Sequence, residues 1–239
     1  NFDEHTSVLG DILEIGLPTI DSTFTQKLFA HFTPDQVVGK AIKDKRGGAD
    51  NIHSWEIGLK GDTTEEQTQF LNLLLLERRK RKWAAEIGID WMDGMPLTEQ
   101  QISTFFPREN LKEFQDELGD MGYLTLEYPR KKKNGRRVPD ETKPKGYNIV
   151  AGKLSFEFTK ILDPQALAPT LVAMDVSHLG IVDGNGIRRL SIREGQRLCG
   201  FPEDYDLSFL KESEAFDLLG NTVCVPVIEA VAERLADMY

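Results

Sequence analysis

The 239-residue sequence predicts an α+β fold, and three observations carry that reading. Capped helix starts followed by apolar stripes recur between Asp62 and Met121. A basic stretch with Asn134-Gly135 at its middle follows them as a hairpin. Residues 161–239 then read as a small helical segment, with a capped helix at Ser191 and a glycine turn at Gly220 leading into a last helix.

Taken in order, residues 1–30 show short apolar pairs broken by Gly10, Gly16 and Pro18, and read as loop-rich. A short helix is expected from Pro34 to Ile42, then Lys45-Arg46-Gly47-Gly48, then a strand over Trp55–Leu59. Asp62-Thr63-Thr64-Glu65-Glu66-Gln67 reads as a capped helix start, in which a Thr is followed by Glu and Gln that can answer exposed amides in a reciprocal cap. The helix it starts should run through Phe70 and Leu73–Leu76 to about Trp83, ending in the basic run Arg78–Lys82, which reads either as a phosphate-facing stripe or as a solvated helix end whose cations suit the C-terminus. Thr98 with Gln101 starts a second helix, which Pro107 closes. A third should cover about 109–118, since Leu111, Phe114, Leu118 and Met121 recur at three- and four-residue spacing. Tyr123–Tyr128 alternates like a strand. Asn-Gly is the strongest short hairpin signal, because both residues accept positive φ. The return strand includes Val138 or resumes at Tyr147–Val150, and Lys153–Thr159 alternates again. Three helices followed by a hairpin, about residues 62–150, resemble a winged helix.

Charge is distributed unevenly. The net charge of −10 argues against nucleic-acid binding by the whole surface. Residues 77–150 nevertheless carry 15 basic against 13 acidic side chains, and eight of the sixteen residues from Arg130 to Lys145 are basic. Such a hairpin can neutralise phosphates. The DNA-contact candidates are Arg130, Lys131, Lys132, Lys133, Arg136 and Arg137 on the hairpin, together with Lys45 and Arg46, where Gly47-Gly48 could let the backbone approach DNA closely because glycine has no Cβ. The competing reading is a solvated loop, and for Lys45-Arg46 an ordinary turn. Around residues 109–118 the exposed positions include Lys112, Glu113, Asp116 and Glu117, so that helix fits packing better than a DNA groove. Cys199 and Cys224 sit in no zinc pattern and read as packing residues of a reducing compartment. No metal site is expected. No apolar run reaches the roughly 20 residues of a membrane helix, and no secretory signal opens the chain. Because it begins with Asn, a processed or excised piece of a longer protein is expected.

From Leu162 onward the residues become specific. Asp163-Pro164 and Ala168-Pro169-Thr170-Leu171 are followed by Arg188-Arg189-Leu190-Ser191-Ile192-Arg193-Glu194-Gly195-Gln196-Arg197-Leu198-Cys199-Gly200-Phe201-Pro202. Then comes Gly220-Asn221-Thr222-Val223 and a helix through Leu235, with Pro226 in its first turn, where a missing amide hydrogen is harmless. Together these resemble the ninth and tenth motifs of the cytosine-5 DNA methyltransferases. Gly195 departs slightly, standing where that run often has a larger residue. The physical reading agrees: Ser191 caps a helix with Glu194 as reciprocal partner, and Gly200 ends it.

The resemblance implies that Arg188, Arg193, Glu194, Arg197, Phe201 and Pro202 belong to an element that packs the recognition part on a Rossmann-like catalytic domain. It also implies that Asn221, Thr222 and Val223 border an S-adenosylmethionine site, incomplete in this chain; a structural turn is the plainer alternative. Val227, Ile228, Val231 and Leu235 are expected as the buried face of the last helix. The family's nucleophilic cysteine follows proline, whereas Cys199 follows Leu198 and Cys224 follows Val223, so no catalytic residue is assigned. By position, residues 1–160 fall where the family carries its target-recognition domain, and 161–239 form the motif segment. The expected function is the DNA-recognition and C-terminal portion of a cytosine-5 DNA methyltransferase of a bacterial, cytoplasmic restriction-modification system, inactive alone. Its partners would be double-stranded DNA and a catalytic half, in the same chain or a separate subunit. A homodimer through exposed apolar surface is also allowed. The alternative is a non-enzymatic winged-helix regulator, which accounts for residues 60–150 and leaves 160–239 unexplained.

Overall fold

The computed structural model describes residues 7–44, 50–150, 156–172 and 175–238, a mixture of helices and strands. The chain separates into two compact units: Asn1–Ala41 with Phe156–Tyr239, and Ile42–Ser155 inserted between them. The sequence groups residues 1–41 with the recognition part. The fold instead sets them against the motif segment, because their backbone pairs there: Leu9 N donates to Ala166 O at 3.0 Å, and Ile20 N to Ile187 O at 2.8 Å.

In the inserted unit, Thr64 Oγ1 accepts from Gln67 N at 3.1 Å and Gln67 Oε1 accepts from Thr64 N at 2.9 Å, so the helix Glu65–Glu77 opens on the reciprocal cap. It does not continue to Trp83. It stops at Glu77, and Arg81–Glu86 forms a separate short helix. The reason is Arg78, which turns inward instead of joining a basic stripe. Its Nη1 donates to Asn148 Oδ1 at 2.7 Å and Ile149 O at 3.4 Å. Burial pushes the guanidinium down to about 10, which still leaves it charged at neutral pH. Asn148 passes the network on, donating to Glu127 Oε1 at 2.7 Å and Gly94 O at 3.1 Å.

Helices Glu99–Ser103 and Leu111–Asp120 follow, the second burying Leu111, Phe114 and Leu118 as the spacing predicts. Strand Leu124–Glu127 pairs antiparallel with Gly146–Ile149, and Leu97 bridges the outer side of Tyr147. Gly146 is required there, since a Cβ would lie 2.5 Å from the Leu97 carbonyl carbon. Tyr147 Oη donates to Asp116 Oδ1 at 2.7 Å, tying the sheet to the Leu111–Asp120 helix. The expected strand Trp55–Leu59 is a run of turns instead. Its role is packing: Trp55 and Ile57 are buried, and Trp55 Nε1 donates to Asn72 Oδ1 at 2.9 Å.

In the other unit, the opening segment is less irregular than its glycines suggest. Ser22 caps a helix over Thr23–His31 through Thr25 N at 3.2 Å. Pro34–Val37 is a single helical turn that stops short of Ile42, and Gly39, at φ +76°, reverses the chain. Ala41 then pairs antiparallel with Lys160. Strand Lys160–Ile161 runs parallel to Leu179–Asp183, which pairs antiparallel with Gly186–Arg188. Of the expected strand Lys153–Thr159, residues 153–155 lie outside the described residues, and Phe156–Thr159 is irregular with Phe156 and Phe158 buried.

Three helices close the chain: Ile192–Cys199, Glu212–Gly220 and Val225–Ala236. Gly195 is explained by close packing, because a Cβ would meet Leu219 Cδ1 and Phe216 Cε1, each at 2.9 Å. The stretch Glu212–Ala236 is apolar enough by composition to suggest a membrane span. The turn at Asn221–Cys224 breaks it, and the longer piece spans about 18 Å where a bilayer core needs about 30 Å.

Candidate nucleic-acid interface and motif segment

The basic stretch folds as the hairpin its sequence predicts. Strands Arg130–Lys133 and Arg136–Pro139 pair with Lys131 opposite Val138, Lys132 opposite Arg137 and Lys133 opposite Arg136. Asn134 (φ +52°) and Gly135 (φ +74°) form the two-residue turn. Both turn residues at positive φ match the twist of the flanking strands. The return path takes in both alternatives, Val138 within the hairpin and Tyr147 within the later strand.

All six predicted hairpin cations are exposed. Lys131 is tied down: its Nζ donates to Asp140 Oδ1 at 2.7 Å. That bond, with donors from Thr142, holds the Asp140 carboxyl at about 2, well below the ordinary carboxylate value. Arg130, Lys132, Lys133, Arg136 and Arg137 have no ion-pair partner among the described residues. Two like-charged pairs therefore face each other across the ribbon, an arrangement that costs free energy until an anion lies beside it. Lys45 and Arg46 lie outside the described residues.

The neighbouring basic run is largely answered within the fold. Arg79 Nε donates to Asp93 Oδ1 at 2.7 Å, Lys80 pairs with Glu77, and Lys82 sits 3.9 Å above the Trp83 ring. On the Leu111–Asp120 helix, Glu113, Glu117 and Asp120 are exposed and Lys112 is held by Asp116. That face is acidic and repels phosphate.

In the motif segment, Glu194 has no exposed surface. It accepts from Arg188 Nη1 at 2.9 Å and Nη2 at 2.7 Å, from Ser191 N at 2.8 Å and from Glu14 N at 2.8 Å. Arg188 also donates to Asp183 Oδ2 at 2.8 Å and to Glu14 O at 2.7 Å. The bond from Arg188, with donors from Gly16 and Leu17, holds the Asp183 carboxyl below its ordinary value. Arg188 and Glu194 thus face inward, and they act on any partner only through the shape of the segment they lock. Arg197 Nε and Nη2 bind the Glu203 carboxylate at 2.7 and 3.0 Å, and Arg193 Nη1 donates to Glu203 O. Phe201 is half-buried and stacks on Tyr205 at 4.7 Å, beside the exposed Pro202. Sequence reading missed Asp183 and Glu14, although Asp183-Gly184-Asn185-Gly186 is itself a turn signal that places the carboxylate beside Arg188. A cleft of about 380 Å³ opens along Leu17, Pro18, Ile20 and Arg188–Ile192.

Asn221, Thr222 and Val223 form an exposed turn outside that cleft, with Asn221 Nδ2 donating to Asp217 O at 2.8 Å. Two expectations nearby are corrected. The Val225–Ala236 helix buries no residue: Val227, Ile228, Val231 and Leu235 are 54, 50, 41 and 52% exposed. Its apolar stripe is real, but nothing in its unit covers it. Cys199 is buried, as a packing residue should be, whereas Cys224, at the mouth of that helix, is exposed. Among the described residues, no group of three His, Cys, Asp or Glu side chains is placed to hold a metal ion.

Fold and site together define an α+β chain that carries a free cationic ribbon on one unit and an open apolar helix on the other. The profile of the C-5 cytosine-specific DNA methylases matches residues 51–237, and the chain belongs to that family. It is 60% identical over 227 residues to the Type II methyltransferase M.NlaIV of Neisseria lactamica, covering 95% of this chain and 53% of that protein. Type II methyltransferase M.NgoBV of Neisseria gonorrhoeae is 58% identical over 227 residues, with the same coverage. Type II methyltransferase M.HgiCI of Herpetosiphon aurantiacus is 40% identical over 209 residues, covering 87% of this chain and 44% of that protein. The chain spans about half the length of the curated relatives it matches.

Proposed function

We propose that this chain is the target-recognition and C-terminal portion of a DNA (cytosine-5-)-methyltransferase of a bacterial restriction-modification system, working in the cytoplasm. The parent reaction transfers the methyl group of S-adenosylmethionine to carbon 5 of a cytosine flipped out of duplex DNA, since that atom is inaccessible within the stack. The inserted unit holds the DNA, and the motif segment docks on the catalytic portion. The observation that carries this reading is the ribbon Arg130–Pro139, with five unpaired cations in a chain of this family.

A winged-helix arrangement of the inserted unit is part of the proposal. The order of helices and strands supports it, as does the Leu97–Tyr147 bridge beside the Leu124–Glu127 and Gly146–Ile149 pair. The hairpin is then the wing. The open face of the Val225–Ala236 helix suits a docking role, and the exposed turn Asn221–Val223 is free to form one edge of a cofactor site whose other walls the catalytic portion supplies. Bound there, S-adenosylmethionine would supply the reactive methyl group. This chain alone does not methylate, because neither cysteine stands in the nucleophile's motif.

Replacing Lys131–Lys133, Arg136 and Arg137 with uncharged residues is expected to weaken duplex binding and flatten its dependence on salt by about one unit of slope per lost phosphate contact. Fluorescence anisotropy with a duplex at several salt concentrations measures this. An unchanged slope would make the ribbon a surface loop.

A further inference from the structure

The two faces of the ribbon are not equivalent. Side chains alternate along each strand, and residues directly opposite share a face. The register therefore puts Lys131, Lys133, Arg136 and Val138 on one face, and Arg130, Lys132, Arg137 and Pro139 on the other. The first face is turned toward its own unit at the root: Lys131 is bound to the buried Asp140, and Val138 is half-buried. The second is exposed at every position, and its three cations have no ion-pair partner among the described residues.

We infer that the Arg130–Lys132–Arg137 face lies flat in the major groove and that Arg137 is a specificity-determining residue that reads a guanine. The inference rests on the DNA-recognition reading above and assigns the reader within it. A major groove about 12 Å wide admits a two-stranded ribbon. Guanidinium and ammonium groups are donors only. A donor-only face is matched by guanine, whose O6 and N7 are both acceptors, and is mismatched by the exocyclic amines of adenine and cytosine. Arg137 sits on the second rung from the turn, directly opposite Lys132, where it can reach the groove floor. Arg130 stands at the root of the ribbon, at the level of the backbone phosphates. The exposed side of the Leu111–Asp120 helix is acidic and unsuited to the groove, whereas the ribbon presents cations on its open face.

The test separates charge from geometry. Arg137→Lys keeps the charge and loses the planar fork. The full 239-residue chain, its Arg137→Lys variant and an Arg136→Lys variant are each bound to a pool of duplexes with a randomised centre, and the retained duplexes are sequenced. The wild-type chain is expected to enrich a guanine at a fixed position. In Arg137→Lys that preference should fall roughly 5- to 150-fold with the salt slope unchanged, as for loss of one bidentate base contact. Arg136→Lys should keep the pattern. If Arg136→Lys loses the guanine and Arg137→Lys keeps it, or if no guanine is enriched, the assignment of Arg137 is overturned while the ribbon remains a DNA contact. If the wild-type chain shows no salt-dependent duplex binding at all, the recognition reading fails with it.

Discussion

Glu194 shows how much one residue can hold in place. A carboxylate with no exposed surface would be costly to bury, yet four donors from Arg188, Ser191 and Glu14 converge on it. Part of the arrangement is local, since Ser191 and Glu194 form a helix cap within one turn. The rest crosses the sequence, joining Glu14 and Asp183 through the same guanidinium. Removing one partner leaves the other charge uncompensated in a dry site. Arg188→Ala is therefore expected to cost about 3–5 kcal/mol of unfolding free energy in a urea titration. Arg197→Ala, which breaks the solvent-screened pair with Glu203, should leave the urea midpoint almost where it is. Equal losses at the two positions would mean that burial is not what gives the Arg188 pair its weight.

Among the elements, the Ile192–Cys199 helix depends on two glycines for different reasons. Gly195 leaves room for Phe216 and Leu219, so the helix meets Glu212–Gly220 without a gap. Gly200 ends the helix at φ +75°, and a Cβ there would lie 2.3 Å from Pro226 Cδ. Gly200→Ala combines a left-handed backbone penalty of about 1–2 kcal/mol with a clash against a rigid ring. A loss of roughly 2–4 kcal/mol is expected, read as a lowered Tm, and a variant as stable as the parent would mean that the last helix yields freely. The Gly200 cap was legible in sequence; the need for Gly195 was not, since only the facing helix reveals it. The Asn134-Gly135 hairpin was legible for the same local reason as the cap. The break after Glu77 was not, because the inward turn of Arg78 is set by Asn148, seventy positions along the chain.

At the scale of the whole molecule, the Val225–Ala236 helix presents an apolar stripe to solvent. Completing the burial of Val227, Ile228, Val231 and Leu235 is worth about 3–6 kcal/mol, half of the usual value for four such side chains. Under the proposed function, that free energy drives docking on the catalytic portion. The double variant Ile228→Glu, Val231→Glu should leave the unfolding free energy of the isolated chain within about 0.5 kcal/mol, because neither side chain is buried in it. It should also abolish the methylation restored when the chain is mixed with a catalytic portion, followed with radiolabelled S-adenosylmethionine. Restoration at the wild-type level would place the docking surface elsewhere.

Alone, the sequence determined the α+β class, the capped starts within Asp62–Gln67 and at Thr98 and Ser191, the hairpin turn and the methyltransferase motifs, because each is written in neighbouring residues. Tertiary structure decided which charges are free and which are spent. Arg78 is buried and hydrogen-bonded to Asn148, Arg188 is buried and paired with Glu194, Lys131 is tied to its own unit, and Arg137 is open to solvent. It also decided that the last apolar stripe is uncovered and that residues 1–41 belong with the motif segment. The physical reason is that capping and turn formation act over a few residues, whereas desolvation and charge pairing depend on groups brought together from distant parts of the chain.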